Sequence, residues 1–465
     1  MYTQGTTHLT LRIQLVFDPR QTSADTVTGM FVRRIAVVGT GYVGLTTGAC
    51  LASLGHRVVC ADVDALKVAR LRAGQVDILE PGLADLVVEG QSAGRLEFVE
   101  GARHAVVDAE VVFLCLPTPM GAGGAADLSA VEAVAQEIRD VLPYGAVVVC
   151  KSTVPVGTSI KVAELLGRED VAVVSNPEFL REGSAARDFL HPDRIVVGSD
   201  SPQAAERVGA LFTKLGAPTV LMDAASAEMV KYAANCFLAM KLSYVNAVAE
   251  LCELVGADVT SVTEGMGYDK RIGQSFLKPG PGWGGSCLPK DTHAMVRIAD
   301  AVGVDFSLIK ATIETNARQQ QRVVEKVRRV VGSLAGARIG VLGLAFKAGT
   351  NDLRDSPALA VAELLAFEGA ELIAYDPEIT RPLVGMTVVD SPYAAVRGAD
   401  AVVLLTEWPE FRTLDWALAA SLMSGSTVLD TRNHLDPDAL ARAGLVLHGL
   451  GRDFRVADRV PDQAM

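Results

Sequence analysis

The segment "RRIAVVGTGYVGLTTGACLASLGHRVVCADVD", residues 33–64, constrains the fold more than any other. It reads as strand, glycine turn, helix and second strand. Gly39, Gly41 and Gly44 spell G-x-G-x-x-G at the junction of the first strand and the helix. The first glycine permits a tight turn, the second lets a pyrophosphate reach the backbone at the helix N-terminus, and the third lets helix and strand pack closely. Asp62 ends the second strand, 18 residues after Gly44, where a carboxylate bonds both ribose hydroxyls of a dinucleotide. Tyr42 and Val43, between the second and third glycines, are candidate cofactor contacts with them. Lys67 and Arg70 follow closely enough to receive a 2′-phosphate, so Asp62 favours NAD over NADP without excluding the latter.

Short apolar strands recur at "AEVVFLCLPTP" (109–119), "AVVVCKSTVP" (146–155) and "VAVVSNPEFL" (171–180), with helical stretches between them. This alternation implies a parallel sheet covered on both faces. From Ser226, a plausible N-cap, to about Val255 the chain has no Gly or Pro, and Gly256 follows. Roughly 30 helical residues extend about 45 Å, long enough to link domains and carry a dimer interface. After residue 335 the strand and helix alternation resumes. The expectation is an α/β protein with two doubly wound Rossmann-like domains joined by a long central helix. Its parts are a disordered extension (1–29), a dinucleotide-binding domain (30–222), a central helical dimerisation region (223–330), a second Rossmann-like domain (331–455) and a tail (456–465).

The net charge of −12 over 465 residues argues against nucleic acid. No apolar run approaches the roughly 18–20 residues that span a bilayer, and the N-terminal residues lack the marks of a signal peptide. Seven cysteines form no C-x-x-C pair, so no metal site is expected, and an odd unpaired set fits a reducing cytoplasm. Six lie in apolar segments and are expected in the core. The seventh, Cys287, lies in "GPGWGGSCLPKD", residues 280–291.

Pro289 is a natural first residue of a helix. Cys287 is therefore expected at a positive helix end with Lys290 close by, an environment that enriches the thiolate. The loop glycines are expected to let the backbone approach a substrate. A thiolate beside a nicotinamide suggests aldehyde oxidation through a thiohemiacetal and a thioester, which needs an oxyanion donor and a water-activating carboxylate. Lys231 and Asn235, four apart on the long helix, are candidate donors. Glu178 and Glu182 flank "PEFLREG" at a strand end, where ligand sites of open sheets gather. The alternative for each of these is an ordinary surface residue. None of the seven histidines sits in a comparable constellation.

The motifs "GTGYVG", "EPGL" (80–83), "STVP" (152–155), "NPEFLREG" (176–183), "KYAANCFLA" (231–239), "GGSCLPKD" (284–291) and "FKAGTNDLRDSP" (346–357) occur in that order. Together they closely resemble the UDP-glucose/GDP-mannose dehydrogenase family, over residues 33 to 435. "HPDRIVVG" and "RIGQSFLK" favour the UDP-glucose branch, with GDP-mannose or another nucleotide sugar as the alternative substrate. The resemblance implies a four-electron oxidation of UDP-glucose to UDP-glucuronate with two NAD reduced, and a homodimer or higher oligomer. It implies that Cys287 is the nucleophile, that Lys231 and Asn235 stabilise the oxyanion, and that Asp291, Thr153 and Glu178 position or activate water. Glu182 is implied beside the nicotinamide, with Thr118 and Arg354 at other parts of NAD; Thr153, Lys67 and Lys290 are counted among the cofactor residues. Glu178, Phe179, Leu180, Lys231, Asn235, Phe276, Lys278, Gly284, Lys347 and Arg432 are implied in the sugar-nucleotide pocket. The three cations Lys278, Lys347 and Arg432 suit a diphosphate. Arg271 is implied to reach the pocket of a neighbouring subunit.

Two other classes compete. A β-hydroxyacid dehydrogenase shares a Rossmann domain and a long helix, but needs neither the Cys287 loop nor the C-terminal domain. A non-catalytic NAD-binding scaffold has no need of Lys231, Asn235, Cys287 and Asp291 together.

Overall fold

The computed structural model describes residues 16–17, 32–121 and 124–452. The described residues fall into two compact units, divided at Lys231 within the long helix, with residues 124–125 counted in the second.

The first unit contains β1 (Val16–Phe17), β2 (Arg34–Val38), β3 (Arg57–Asp62), β4 (Leu96–Glu100), β5 (Val111–Leu114), β6 (Val147–Cys150), β7 (Ala172–Ser175), β8 (Ile195–Gly198) and β9 (Thr219–Met222). They form one sheet in the order β1-β9-β8-β7-β6-β5-β2-β3-β4. From β4 through β7 all pairings are parallel. The expected all-parallel sheet becomes mixed beyond β7, because β8 runs antiparallel to it and β1 antiparallel to β9. Strands β5 and β6 are buried along their whole length, which is why they read as unbroken Val, Phe and Leu rather than as an alternating pattern.

The expected disordered extension, 1–29, and tail, 456–465, lie outside the described residues except for Val16 and Phe17. Those two are strand rather than coil: they pair with Val220 and Thr219 on β9. Without them the exposed edge of β9 would present unpaired backbone groups.

The second unit contains β10 (Arg338–Leu342), β11 (Glu371–Tyr375), β12 (Thr387–Val388), β13 (Ala401–Leu404), β14 (Thr427–Asp430) and β15 (Val446–Gly449). Their order is β12-β11-β10-β13-β14-β15, and every pairing is parallel. Both sheets therefore reverse their strand order beside the first parallel strand, between β2 and β5 and between β10 and β13. Ligands of such sheets bind outside the carboxyl ends of the strands at that reversal.

The long helix is Ala224–Val255, 32 residues or about 48 Å. It starts before Ser226, so Ser226 is not its cap. Asp223 takes that place: its carboxylate accepts the Ser226 amide and the Ser226 hydroxyl, both at 2.9 Å. Gly256 ends the helix with a left-handed φ of 74°, as its position in the sequence predicts.

Candidate active site

In the first unit the helix Tyr42–Ser53 begins at Gly41 with no side chain capping its N-terminus, leaving the first amides for an anion. A Cβ at Gly41 would meet nothing within 4 Å, whereas one at Gly44 would lie 1.8 Å from the Gly39 carbonyl oxygen. The second glycine thus opens onto free space and the third permits packing, the division of labour a pyrophosphate site requires.

Asp62, at the end of β3, accepts the Thr40 amide at 3.0 Å, the Thr40 hydroxyl and the Lys67 ammonium at 3.1 Å. Burial opposes its ionisation, but the Thr40 and Lys67 hydrogen bonds win and hold its pKa at about 2. Asp62 is therefore a fixed negative charge at the end of β3, and Lys67 is already committed to it. These features fit NAD. Thr118, on the loop after β5, donates to the Thr153 carbonyl at 2.9 Å, which ties the two loops at the strand reversal together.

Glu178 and Lys231 meet at 2.8 Å with both side chains buried. The other Glu178 oxygen accepts the Leu180 amide at 2.6 Å. Burial pushes the Glu178 pKa up, but the Lys231 charge outweighs it and the carboxyl stays below its ordinary value. Phe179 lies under two cations, with the Arg194 guanidinium 3.5 Å and the Lys231 ammonium 5.4 Å from its ring centroid. Glu182 follows on the same loop with Oε2 buried.

Two buried charges on this framework escaped the sequence analysis. Lys151 donates to Asn176 at 2.9 Å and lies 5.7 Å from the rings of Phe189 and Phe212. Burial pushes its pKa down to about 8, against the attraction of Glu178. Glu228, one helical turn before Lys231, accepts the amides of Gly157 and Ser159 at 2.6 and 2.8 Å and the Ser159 hydroxyl at 2.7 Å. It anchors the loop that carries Thr153 to the helix that carries Lys231. The signal for Lys151 was available: a lysine directly follows the wholly apolar run "AVVVC".

In the second unit Cys287 occupies the N-cap of the helix Leu288–Ala301, as Pro289 predicts, and is partly exposed. The other six cysteines are buried, and none of the seven is in a disulfide. Asp291 is fully buried and accepts Asn235 Nδ2 and Lys290 Nζ, each at 2.6 Å. The Lys290 charge is thus directed to Asp291. Two of the loop glycines meet a packing need of their own. A Cβ on Gly284 would lie 1.9 Å from the Asp355 carbonyl oxygen, and one on Gly285 2.7 Å from the Phe346 ring. At these two positions the loop packs flush against the segment after β10.

Lys347 and Arg354 lie on that segment, and Arg432 follows β14, so all three stand at the carboxyl end of the second sheet. Arg432 donates to the carbonyls of Leu405 and Phe346 and pairs with Glu407 at 3.1 Å. Arg354 is paired with Asp352 at 2.5 Å. Lys278 is exposed, and so is Arg271, which pairs with Asp269 at 2.6 Å. Among the described residues three non-glycine residues have left-handed φ: Phe276 at 63°, Asp355 at 47° and Asn433 at 48°. One is a candidate pocket residue and the others adjoin Arg354 and Arg432. Such conformations cost about 1–3 kcal/mol each and gather where a ligand site over-determines the backbone.

Three domain models of one family match the chain. The NAD binding domain of the UDP-glucose/GDP-mannose dehydrogenase family covers residues 33–216, its central domain 225–318 and its UDP binding domain 340–437. A UDP-glucose 6-dehydrogenase of Bacillus subtilis is 44% identical over 432 residues, covering 90% of this chain and 94% of that protein. A UDP-glucose 6-dehydrogenase of Pseudomonas aeruginosa is 43% identical, covering 90% and 97%. The solved structure of a UDP-glucose dehydrogenase from Pyrobaculum islandicum is 38% identical with a TM-score of 0.84, covering 92% of this chain and 99% of that one. A dinucleotide turn, a second Rossmann-like sheet and an N-cap cysteine, matched along nearly the whole length, have one common source: the chain belongs to the UDP-glucose/GDP-mannose dehydrogenase family.

Proposed function

We infer that the protein is an NAD-dependent oxidoreductase that converts UDP-glucose to UDP-glucuronate in two oxidations at one carbon. The observation that carries this reading is the N-cap thiol of Cys287 one turn before Asp291, a buried carboxylate held by Asn235 and Lys290. Relatives named for the same reaction, at 43–44% identity over 90% of the chain, support it.

Gly39, Gly41, Gly44 and Asp62 hold the cofactor, with Thr118, Thr153 and Glu182 beside it. Bound NAD supplies the hydride acceptor for each oxidation. The primary alcohol first loses a hydride and a proton to become an aldehyde. The Cys287 thiolate adds to that aldehyde, forming a C–S bond and a thiohemiacetal, and Lys231 and Asn235 donate to the oxyanion. Loss of a second hydride gives a thioester. Water, positioned by Asp291, Glu178 and Thr153, adds to the thioester carbon, and the C–S bond breaks to release acid and thiol. One water is consumed and two NADH are formed per acid. Lys278, Lys347 and Arg432 carry the positive charge for the diphosphate, and Phe276 and Gly284 line the sugar pocket.

The protein acts as a homodimer or larger assembly. Phe237, Tyr244 and Leu251 recur every seven residues on the long helix and are 57%, 55% and 58% exposed. An apolar stripe of that spacing suits a second copy of the helix. Arg271, exposed and paired with its neighbour Asp269, then serves the partner's pocket. Seven cysteines with no disulfide among them fit a cytoplasmic location. The test is NADH formation against UDP-glucose, UDP-N-acetylglucosamine and GDP-mannose, with the acid product counted. Turnover of UDP-glucose at two NADH per acid is expected. Preference for GDP-mannose would move the protein to the other branch of the family.

A further inference from the structure

The "EPGL" motif has no part in the chemistry above, yet its glutamate lies inside the cofactor domain. Gly82, at a left-handed φ of 79°, turns the chain into the helix Leu83–Ser92, and Leu83 is wholly buried in the core of the first unit. With the turn fixed at that end, Glu80 points inward and is 6% exposed. Its Oε2 accepts two hydrogen bonds from separate parts of the chain. One comes from the hydroxyl of Tyr42, the first residue of the dinucleotide helix. The other comes from the Gly183 amide, at 2.8 Å. The Tyr42 hydroxyl also lies 3.2 Å from the Arg181 carbonyl.

The loop that carries Glu182 is therefore gripped from two sides. On one side Glu80 holds Gly183, and through Tyr42 it faces Arg181. On the other, Asp188 accepts the Arg181 amide at 2.9 Å, its guanidinium at 2.5 Å and the Ser184 hydroxyl at 3.1 Å. Glu182 stands between these anchors. A charge-assisted bond at each anchor is stronger than a neutral one, and a carboxylate oxygen can take two donors at once.

We propose that Glu80 is a positioning residue for the cofactor: through one carboxylate oxygen it locks the pyrophosphate turn at Tyr42 to the Glu182 loop at Gly183, so that the turn and the loop proposed to lie beside the nicotinamide are held at a fixed separation. The inference rests on the reading of Tyr42 and Glu182 as NAD contacts. Glu80 does not touch the reacting atoms, and neither sugar nor diphosphate depends on it. Losing the staple therefore affects NAD and the rate of hydride removal, and leaves UDP-glucose binding unaltered.

The experiment compares Glu80→Ala, Glu80→Gln, Tyr42→Phe and the double variant Tyr42→Phe/Glu80→Ala in the full-length enzyme. It reads the NAD dissociation constant by fluorescence titration, the UDP-glucose dissociation constant by calorimetry, kcat, and both KM values. In Glu80→Ala both bonds to the carboxylate are lost, and the NAD dissociation constant and KM are expected to rise by roughly tenfold or more, with UDP-glucose affinity within about twofold of the parent. Glu80→Gln keeps an acceptor for both donors and should recover most of the loss. The double variant should be little worse than Glu80→Ala, because the two residues share one bond. NAD affinity unchanged in Glu80→Ala, parallel losses for both ligands, or additive effects of the two changes would each overturn the proposal. If Glu80→Ala does not fold, unchanged NAD affinity in Tyr42→Phe overturns it just as well. A parent enzyme that binds NAD but does not oxidise UDP-glucose would defeat the functional reading instead, and the staple would still be decided by the NAD titrations.

Discussion

Asn235 Nδ2 lies 2.6 Å from Asp291 Oδ2, and this bond fixes a carboxylate that has no contact with solvent. Its other oxygen is held by Lys290. An ionised group buried this deeply is tolerated only when hydrogen-bonded on each side. Replacing Asn235 by Asp removes a donor and sets two carboxylates against each other, whereas Asn235→Ala only removes the donor. The urea midpoint of Asn235→Asp at pH 7 should therefore fall below that of Asn235→Ala. A midpoint no lower than that of the alanine variant would mean that the two side chains do not face each other.

Asp62 makes a prediction about pH dependence, because its folded pKa of about 2 lies below that of the unfolded chain. Its contribution is complete above pH 4 and is lost as pH falls through 2, and a shift of this size is worth about 2 kcal/mol. The gap in urea midpoint between the parent and Asp62→Asn should therefore stay constant from pH 7 to pH 5. The same substitution should narrow the preference for NAD over NADP, read as the ratio of kcat/KM, since a 2′-phosphate is no longer repelled. A preference unaltered by the change would remove Asp62 from the ribose site.

Lys151 should destabilise the fold at neutral pH and do so less as pH rises. Burial lowers its folded pKa to about 8, whereas the unfolded chain holds its proton until about 10.4. Between those values the unfolded state binds more protons, so stability rises with pH by linkage. Comparison with Lys151→Met cancels the other titrating groups. The difference in denaturant midpoint should move in favour of the parent between pH 8 and 9.5, and should be flat below pH 7. A flat difference throughout would mean that Lys151 keeps its full charge.

The legibility of this chain divides along the range of the interactions involved. The dinucleotide turn could be read because G-x-G-x-x-G, Asp62 and their strands are local, and the structure gives each glycine its expected task. Pro289 likewise foretold that Cys287 would begin a helix. What could not be read depends on partners far along the chain. Glu228 holds Gly157 and Ser159 across about seventy positions, and nothing near residue 228 announces it. The Cys287 loop carries a packing reason that its sequence does not announce: Gly284 and Gly285 leave room for Asp355 and Phe346, which lie about seventy and sixty positions further along the chain. Even the start of the long helix went to Asp223 rather than Ser226, since either residue type caps a helix equally well.

If the apolar stripe on the long helix carries the proposed dimer interface, a charge within it should take the dimer apart. Tyr244→Glu places a charge between Phe237 and Leu251, and should shift the protein toward monomer in sedimentation velocity without lowering its melting temperature by more than a few degrees. If Arg271 serves the partner's pocket, that monomer should show a raised KM for UDP-glucose and an unaltered affinity for NAD, and Arg271→Ala in the dimer should reproduce the same pattern. A monomer with full activity would remove the role assigned to Arg271.

The proposed nucleophile role of Cys287 can be tested by itself, because the two oxidations separate it from the roles proposed for the other residues. Removing the first hydride requires NAD and a bound alcohol but no covalent bond to the enzyme. The second requires that the aldehyde carbon be converted to an oxyanion-bearing adduct, and a thiolate supplies that adduct far better than a hydroxyl at neutral pH. Cys287→Ala should therefore bind NAD and UDP-glucose with affinities near those of the parent, yet produce no UDP-glucuronate at a comparable rate. Cys287→Ser should fail in the same way, because its leaving and attacking oxygen is protonated. In the parent, two NADH should appear per acid, and rapid quench followed by intact-mass measurement should find the glucuronyl thioester on the peptide containing Cys287. If Asp291 orients water as proposed, substituting it by Asn should lengthen the life of that thioester while the thiol remains, and the trapped fraction should rise even as turnover falls. An alanine variant that makes acid at the parent's rate and stoichiometry would show that the aldehyde is oxidised as a hydrate, with no bond to Cys287 at any stage.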